Sequence, residues 1–192
     1  MKFLFTALIL ILILILILIL ILTLSLTGCG VNVDKASAEG QYIDLSEIAE
    51  AIKSQDDNEK LNYFNALLVK AEDNDPIAQN LVGVVFENGY LNQKMDIKKA
   101  VHWYEKAIKN NNGVAENNMG SLYAHGNGVK QDYEKAYTYF TKAMNKNVPE
   151  AINSIGFMYF NGFYFERDLK KACDYYEKSA NLDYGFGSCK YC

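Results

Sequence analysis

The stretch AENNMGSLYAHGNGVKQDYEKAYTYFTKA, residues 115–143, decides the fold. Its first half carries Ala115, Met119, Leu122 and Tyr123 at i, i+4, i+7 and i+8, which is one apolar face of a helix. Gly126 and Gly128 supply the positive φ that ends this helix and turns the chain. Asp132 then stands where a side-chain oxygen caps a second helix. The second helix places Ala136, Tyr139, Phe140 and Ala143 inside and leaves Lys135, Lys142 and Lys146 in water. Gly120 sits mid-helix, where glycine costs about 1 kcal/mol relative to Ala. Its presence there predicts a facing helix too close for a side chain. The unit is a helix pair.

The unit recurs along the chain. Ala78, Ala115 and Ala151 open three segments spaced 37 and 36 residues apart, and Gly83, Gly120 and Gly156 keep the same spacing. So do Gly89, Gly126 and Gly162, while Asp96, Asp132 and Asp168 are 36 apart, as are Ala100, Ala136 and Ala172. The one extra residue falls between Gly89 and Asp96, in the inter-helix loop, where insertions are tolerated. Lys70 and Ala71 continue the register upstream of Lys106 and Ala107, so a second-type helix is expected over 59–72. Asp44-Leu45-Ser46-Glu47 has the form of a capping box and starts a first helix running to about Lys53. These readings assign 44–75 to an N-terminal capping helix pair and 76–186 to three repeats. Residues 187–192 read as the incomplete start of a further repeat. Stacked helix pairs of this kind make an all-α solenoid.

The pattern resembles the Sel-one-like repeat, a relative of the tetratricopeptide repeat. Ala115 to Ala143 matches it closely, and the outer units depart mainly where Leu91 and Tyr164 replace Gly128. The resemblance implies a right-handed superhelix of α/α pairs with a concave binding surface and an adaptor or scaffold role. The segment from Asp168 to Lys178 is also similar to a helix of the secreted cysteine-rich, Hcp-type proteins. That resemblance implies an alternative function, β-lactam binding or weak β-lactam hydrolysis. Members of that family pair two Cys eight residues apart. Here the matching positions are Ile108 and Glu116, Met144 and Ile152, and Ala180 and Ser188.

The N-terminus reads as an address. Lys2 precedes an uncharged run from Phe3 to Thr27, within which Leu and Ile alternate from Leu8 to Leu22. As a helix it reaches roughly 37 Å, enough for a hydrocarbon core of about 30 Å. Leu26-Thr27-Gly28-Cys29 comes directly after it and resembles a bacterial lipobox. On that resemblance residues 1–28 are a signal peptide, Cys29 is lipidated, and 29–43 hold the lipid and a tether. Gly30 after Cys29 favours the outer membrane, facing the periplasm. An unprocessed run would instead anchor the chain in the inner membrane. Several acyl chains on one residue suffice for stable anchoring.

Composition narrows the function classes. With 19 Lys and Arg against 23 Asp and Glu, the net charge is −4 and no basic run exists, which excludes a nucleic-acid binder. A serine β-lactamase needs Ser-x-x-Lys, and no Ser here has a Lys three residues later. His102 and His125 are the only histidines, too few for a metal centre, and both read as structural or solvent-facing. No cofactor and no metal are expected. Cys189 and Cys192 form a C-terminal CxxC that is an unfinished repeat, a structural disulfide or, least of all, a redox pair.

The partner site is expected on the concave face formed by the first helices of successive repeats. Gln79, Asn80, Glu116, Asn117 and Asn153 lie there outside the apolar stripe. Amides both donate and accept, which suits an extended protein or peptide backbone or a polar cell-wall component. Phe163, Tyr164 and Phe165 are expected to close one end as an aromatic rim, unless they pack beneath the second helix.

Overall fold

The computed structural model describes residues 45–182. The segment 1–28, Cys29 and its tether, and 187–192 with Cys189 and Cys192 lie outside the described residues. All regular structure among the described residues is helical. The N-terminal pair is α1 (Leu45–Lys53) and α2 (Asp57–Glu72). Three further pairs complete the array: α3 (Pro76–Asn88) with α4 (Ile97–Lys109), α5 (Gly113–His125) with α6 (Tyr133–Met144), and α7 (Pro149–Asn161) with α8 (Leu169–Ala180). Ile43–Cys192 forms one compact unit, and its cores are built from its own helices.

The ends of the helices derive from local chemistry. Asp96, Asp132 and Asp168 cap α4, α6 and α8, each accepting from the main-chain N–H three residues on, at 3.1, 3.0 and 2.9 Å. Asp75 and Asn112 cap α3 and α5 in the same way. Pro76 and Pro149 open α3 and α7, where a missing N–H costs nothing. Gly89, Gly126 and Gly162 end α3, α5 and α7 in the left-handed region, with φ of 69°, 70° and 72°.

Pairing rests on the mid-helix glycines. A Cβ on Gly83 would lie 2.5 Å from the Tyr104 ring, and one on Gly120 would lie 2.6 Å from the Phe140 ring. A Cβ on Gly156 would lie 3.0 Å from the Tyr176 ring. In each of the three repeats the second helix presses an aromatic ring against the bare backbone of the first, as the glycine spacing predicts. Ala78, Ala100, Ala107, Ala115, Ala136, Ala143, Ala151 and Ala172 are all fully buried, because small side chains let the backbones approach. Tyr139, expected inside, is only partly buried and stacks on Tyr123 with centroids 5.7 Å apart.

Candidate functional site

The amides expected to line an open groove are instead buried between helices. Gln79 is 1% exposed; its Nε2 donates to the Ala71 carbonyl at 3.0 Å and its Oε1 accepts from Asn110 at 2.9 Å. Asn80 accepts from Asn118 at 3.0 Å, and the buried Asn117 lies 3.5 Å from the Ser154 hydroxyl, which donates to the Glu150 carbonyl at 2.8 Å. Glu116, 5% exposed, meets Lys146 at 3.0 Å, so that lysine is half-buried rather than in bulk water. The reason is geometric. In a solenoid the first helix of each repeat touches its own second helix and the repeats on both sides, so polar positions beside the apolar stripe face protein. Gln79, Asn80, Glu116 and Asn117 therefore hold helices together and are not a free surface.

The aromatic turn divides into three fates. Phe165 stacks on Tyr159 at 4.6 Å and meets Tyr137 edge-on at 4.8 Å, so it is packed between helices. Tyr164 is half exposed at the loop apex, with φ of 68°. Phe163 stacks on Tyr133 at 4.8 Å, 7° from parallel, and borders an open cleft.

That cleft is the candidate site. It has a volume of about 510 Å³ and runs between α5 and α7. Ser121, Ala124 and His125 come from α5; Gln131, Tyr133 and Phe140 come from the start and body of α6. Asn153, Ser154, Phe157 and Met158 come from α7, and Phe163 from the turn after it. Phe157 is half exposed, with its ring 6.0 Å from Phe163 in an edge contact. Of the expected site residues, the cleft thus gathers Asn153 and Phe163. It adds His125, Tyr133 and Phe157, which sequence reasoning missed. His125 is exposed, and its Nδ1 lies 2.9 Å from the Ser121 carbonyl, which can only accept, so Nδ1 carries the proton.

Ionisable groups elsewhere serve the frame. Burial, and then the Glu87 carboxylate that accepts from its hydroxyl at 2.5 Å, push Tyr104 far above the ordinary tyrosine value, so it stays a donor. Burial also raises Tyr139, Tyr159 and Tyr175. Among the described residues no cluster of three or more His, Cys, Asp or Glu could hold a metal ion. None of their helices is long and apolar enough to cross a membrane. Cys173 on α8 is disulfide-bonded.

The profile of the Sel1 repeat matches residues 76–112, 113–148 and 149–184, more than half of the chain. The chain belongs to the Sel1 repeat family. Its helix pairs coincide with the three matched repeats. A crystal structure of a Sel1 repeat protein from Oxalobacter formigenes is similar, at 31% identity and a TM-score of 0.59, over 64% of this chain and 50% of that one. So is c5321, described as a protective antigen of uropathogenic Escherichia coli with an SLR fold. It is 28% identical with a TM-score of 0.59, over 65% of this chain and 26% of that one. The chain thus spans half or less of these two relatives. Helicobacter pylori cysteine rich protein B shares the fold at 23% identity and a TM-score of 0.50, over 66% of this chain and 90% of that one. The comparison with curated proteins gave no match.

Proposed function

We propose that this Sel1 repeat protein is a non-catalytic interaction module that holds a segment of another polypeptide in the α5–α7 cleft. The observation that carries the reading is the cleft itself, with about 510 Å³ of open space, aromatic walls and a polar rim without Asp, Glu, Lys or Arg. Preformed concave sites with a few convergent polar groups are where partners bind. Sel1 repeat proteins are typically protein-interaction scaffolds, which supports the same class. The lipobox-like Leu26–Cys29 supports a lipid anchor at Cys29, holding the repeats to the outer membrane on its periplasmic side.

Photo-crosslinking in cells tests this. A benzophenone side chain at position 157, inside the cleft, should capture discrete polypeptide adducts. The same group at position 102, on the exposed face of α4, should not. Equal adducts from both positions would refute the cleft. Purified Ile43–Cys192 should leave a chromogenic cephalosporin intact, and turnover that accompanies the protein through purification would refute a non-catalytic role.

A further inference from the structure

The gaps between α3 and α5 and between α5 and α7 are built from register-equivalent positions, yet they are filled differently. In the first gap, Glu87 accepts from the Tyr104 hydroxyl at 2.5 Å, and Asn118 lies beside the same hydroxyl. One repeat later those three positions are Ala124, Phe140 and Ser154. The ring positions correspond, since each lies against its mid-helix glycine, where an added Cβ would come within 2.5 Å of Tyr104 and 2.6 Å of Phe140. What is lost is the side chain of Glu87 and the hydroxyl it satisfied. The exchange widens the cleft, and all three substituted residues line it.

The lining then limits the occupant. No Asp, Glu, Lys or Arg borders the cleft, so a charged side chain entering it would lose water without meeting a carboxylate, ammonium or guanidinium counter-charge. The walls are ring faces and edges: Tyr133 stacked on Phe163 at 4.8 Å, with Phe157 edge-on to Phe163 at 6.0 Å. Offset and edge contacts make such walls favour another ring over an aliphatic chain. At the rim stands Asn153, partly exposed. Its amide can donate and accept at once, as a peptide backbone requires.

We infer that the α5–α7 cleft receives an uncharged aromatic side chain of an extended peptide, with Asn153 engaging the adjoining backbone. This rests on the reading of the cleft as the partner site and names what that site selects.

The test uses isotope-labelled Ile43–Cys192, which forms a compact unit with cores of its own. The probes are four capped tripeptides, Gly-X-Gly with X as Phe, Leu, Lys or Glu. The Phe peptide should shift amide resonances around Asn153, Phe157 and Phe163 and bind at least tenfold tighter than the Lys and Glu peptides. Ala124→Glu with Phe140→Tyr rebuilds the filling of the first gap and should abolish those shifts while the circular dichroism stays unchanged. Should that pair disturb folding, the half-exposed Phe157→Ala must weaken Phe-peptide binding at least fivefold. Equal binding of all four peptides, or undiminished binding by the folded variants, overturns the inference. If the Phe peptide fails but crosslinks from position 157 persist, the aromatic selectivity is wrong and the interaction module stands. If both fail, the cleft is not the partner site.

Discussion

Replacing Lys146 should expose how the buried polar layer is held. Its Nζ lies 3.0 Å from Glu116 Oε1, with side-chain exposures of 28% and 6%. At an effective dielectric of about 20 that separation gives a gross attraction of about 5–6 kcal/mol, most of which offsets the loss of water from the two ions. The second oxygen, Oε2, is buried without a hydrogen-bond partner. Lys146→Ala therefore leaves a carboxylate with no cation and little water, and should cost about 3 kcal/mol, the low end for a broken buried pair because Lys146 keeps some solvent. The first repeat shows the remedy. Positions 116 and 146 correspond there to Gln79 and Asn110, which meet as two amides, while Gln79 also donates to a main-chain carbonyl. Glu116→Gln with Lys146→Asn should thus fall within about 1 kcal/mol of wild type. Glu116→Gln alone should be neutral or slightly stabilising, since it gives the orphaned position an N–H. Urea unfolding of the four proteins, compared at constant m, measures this. A Lys146→Ala loss under about 1 kcal/mol, or a double variant no better than the single, refutes the reasoning.

Gly120→Ala places a Cβ 2.6 Å from two Phe140 ring carbons and should cost about 1–2 kcal/mol in thermal unfolding, after the gain of about 1 kcal/mol in helix propensity. Gly156→Ala sets its Cβ 3.0 Å from the Tyr176 ring, so a shift of a few tenths of an ångström against the propensity gain should leave it near neutral, and equal effects would disprove the crossing argument. The Lys171 N–H holds the Asp168 carboxyl below its ordinary value of 3.8, so its contribution is complete above that pH and is lost as the pH falls further. Asp168→Asn should accordingly flatten the acid limb of stability below about pH 4, and an unchanged limb would show the cap to be inert. Cys29→Ala should abolish acyl labelling and leave an unprocessed precursor; labelling that persists would reassign the anchor to the apolar run.

Period, caps and pairing were legible in the chain because each depends on a local rule. Asp132 caps α6 because the first turn of that helix has main-chain N–H groups to satisfy, and Gly120 recurs because a ring needs its place. The site was less legible, because burial in a solenoid depends on neighbours 36 residues away. Asn117 and Asn153 occupy one register position on similar helices, yet Asn117 is buried while Asn153 is partly exposed and borders the cleft. Nothing local separates them. The signal that could have found the cleft was a comparison of repeats: Ala124 where Glu87 stands, and Phe140 where Tyr104 stands, remove a carboxylate and its donor together. Phe163, Tyr164 and Phe165 were visible as a cluster, but their separation needed the backbone turn at Tyr164.

The ring-under-glycine contact has a consequence for fidelity. Tyr104, Phe140 and Tyr176 are near-identical knobs, and Gly83, Gly120 and Gly156 are near-identical holes. A folding chain therefore finds little in this contact to stop α3 from closing on α6. Discrimination falls to the polar layer. Such a mispairing sets Gln79 against Lys146, or Glu116 against Asn110, and the second leaves a carboxylate buried without its cation. The interchangeable contact makes the repeats stack, and the mismatched one keeps each helix with its own partner.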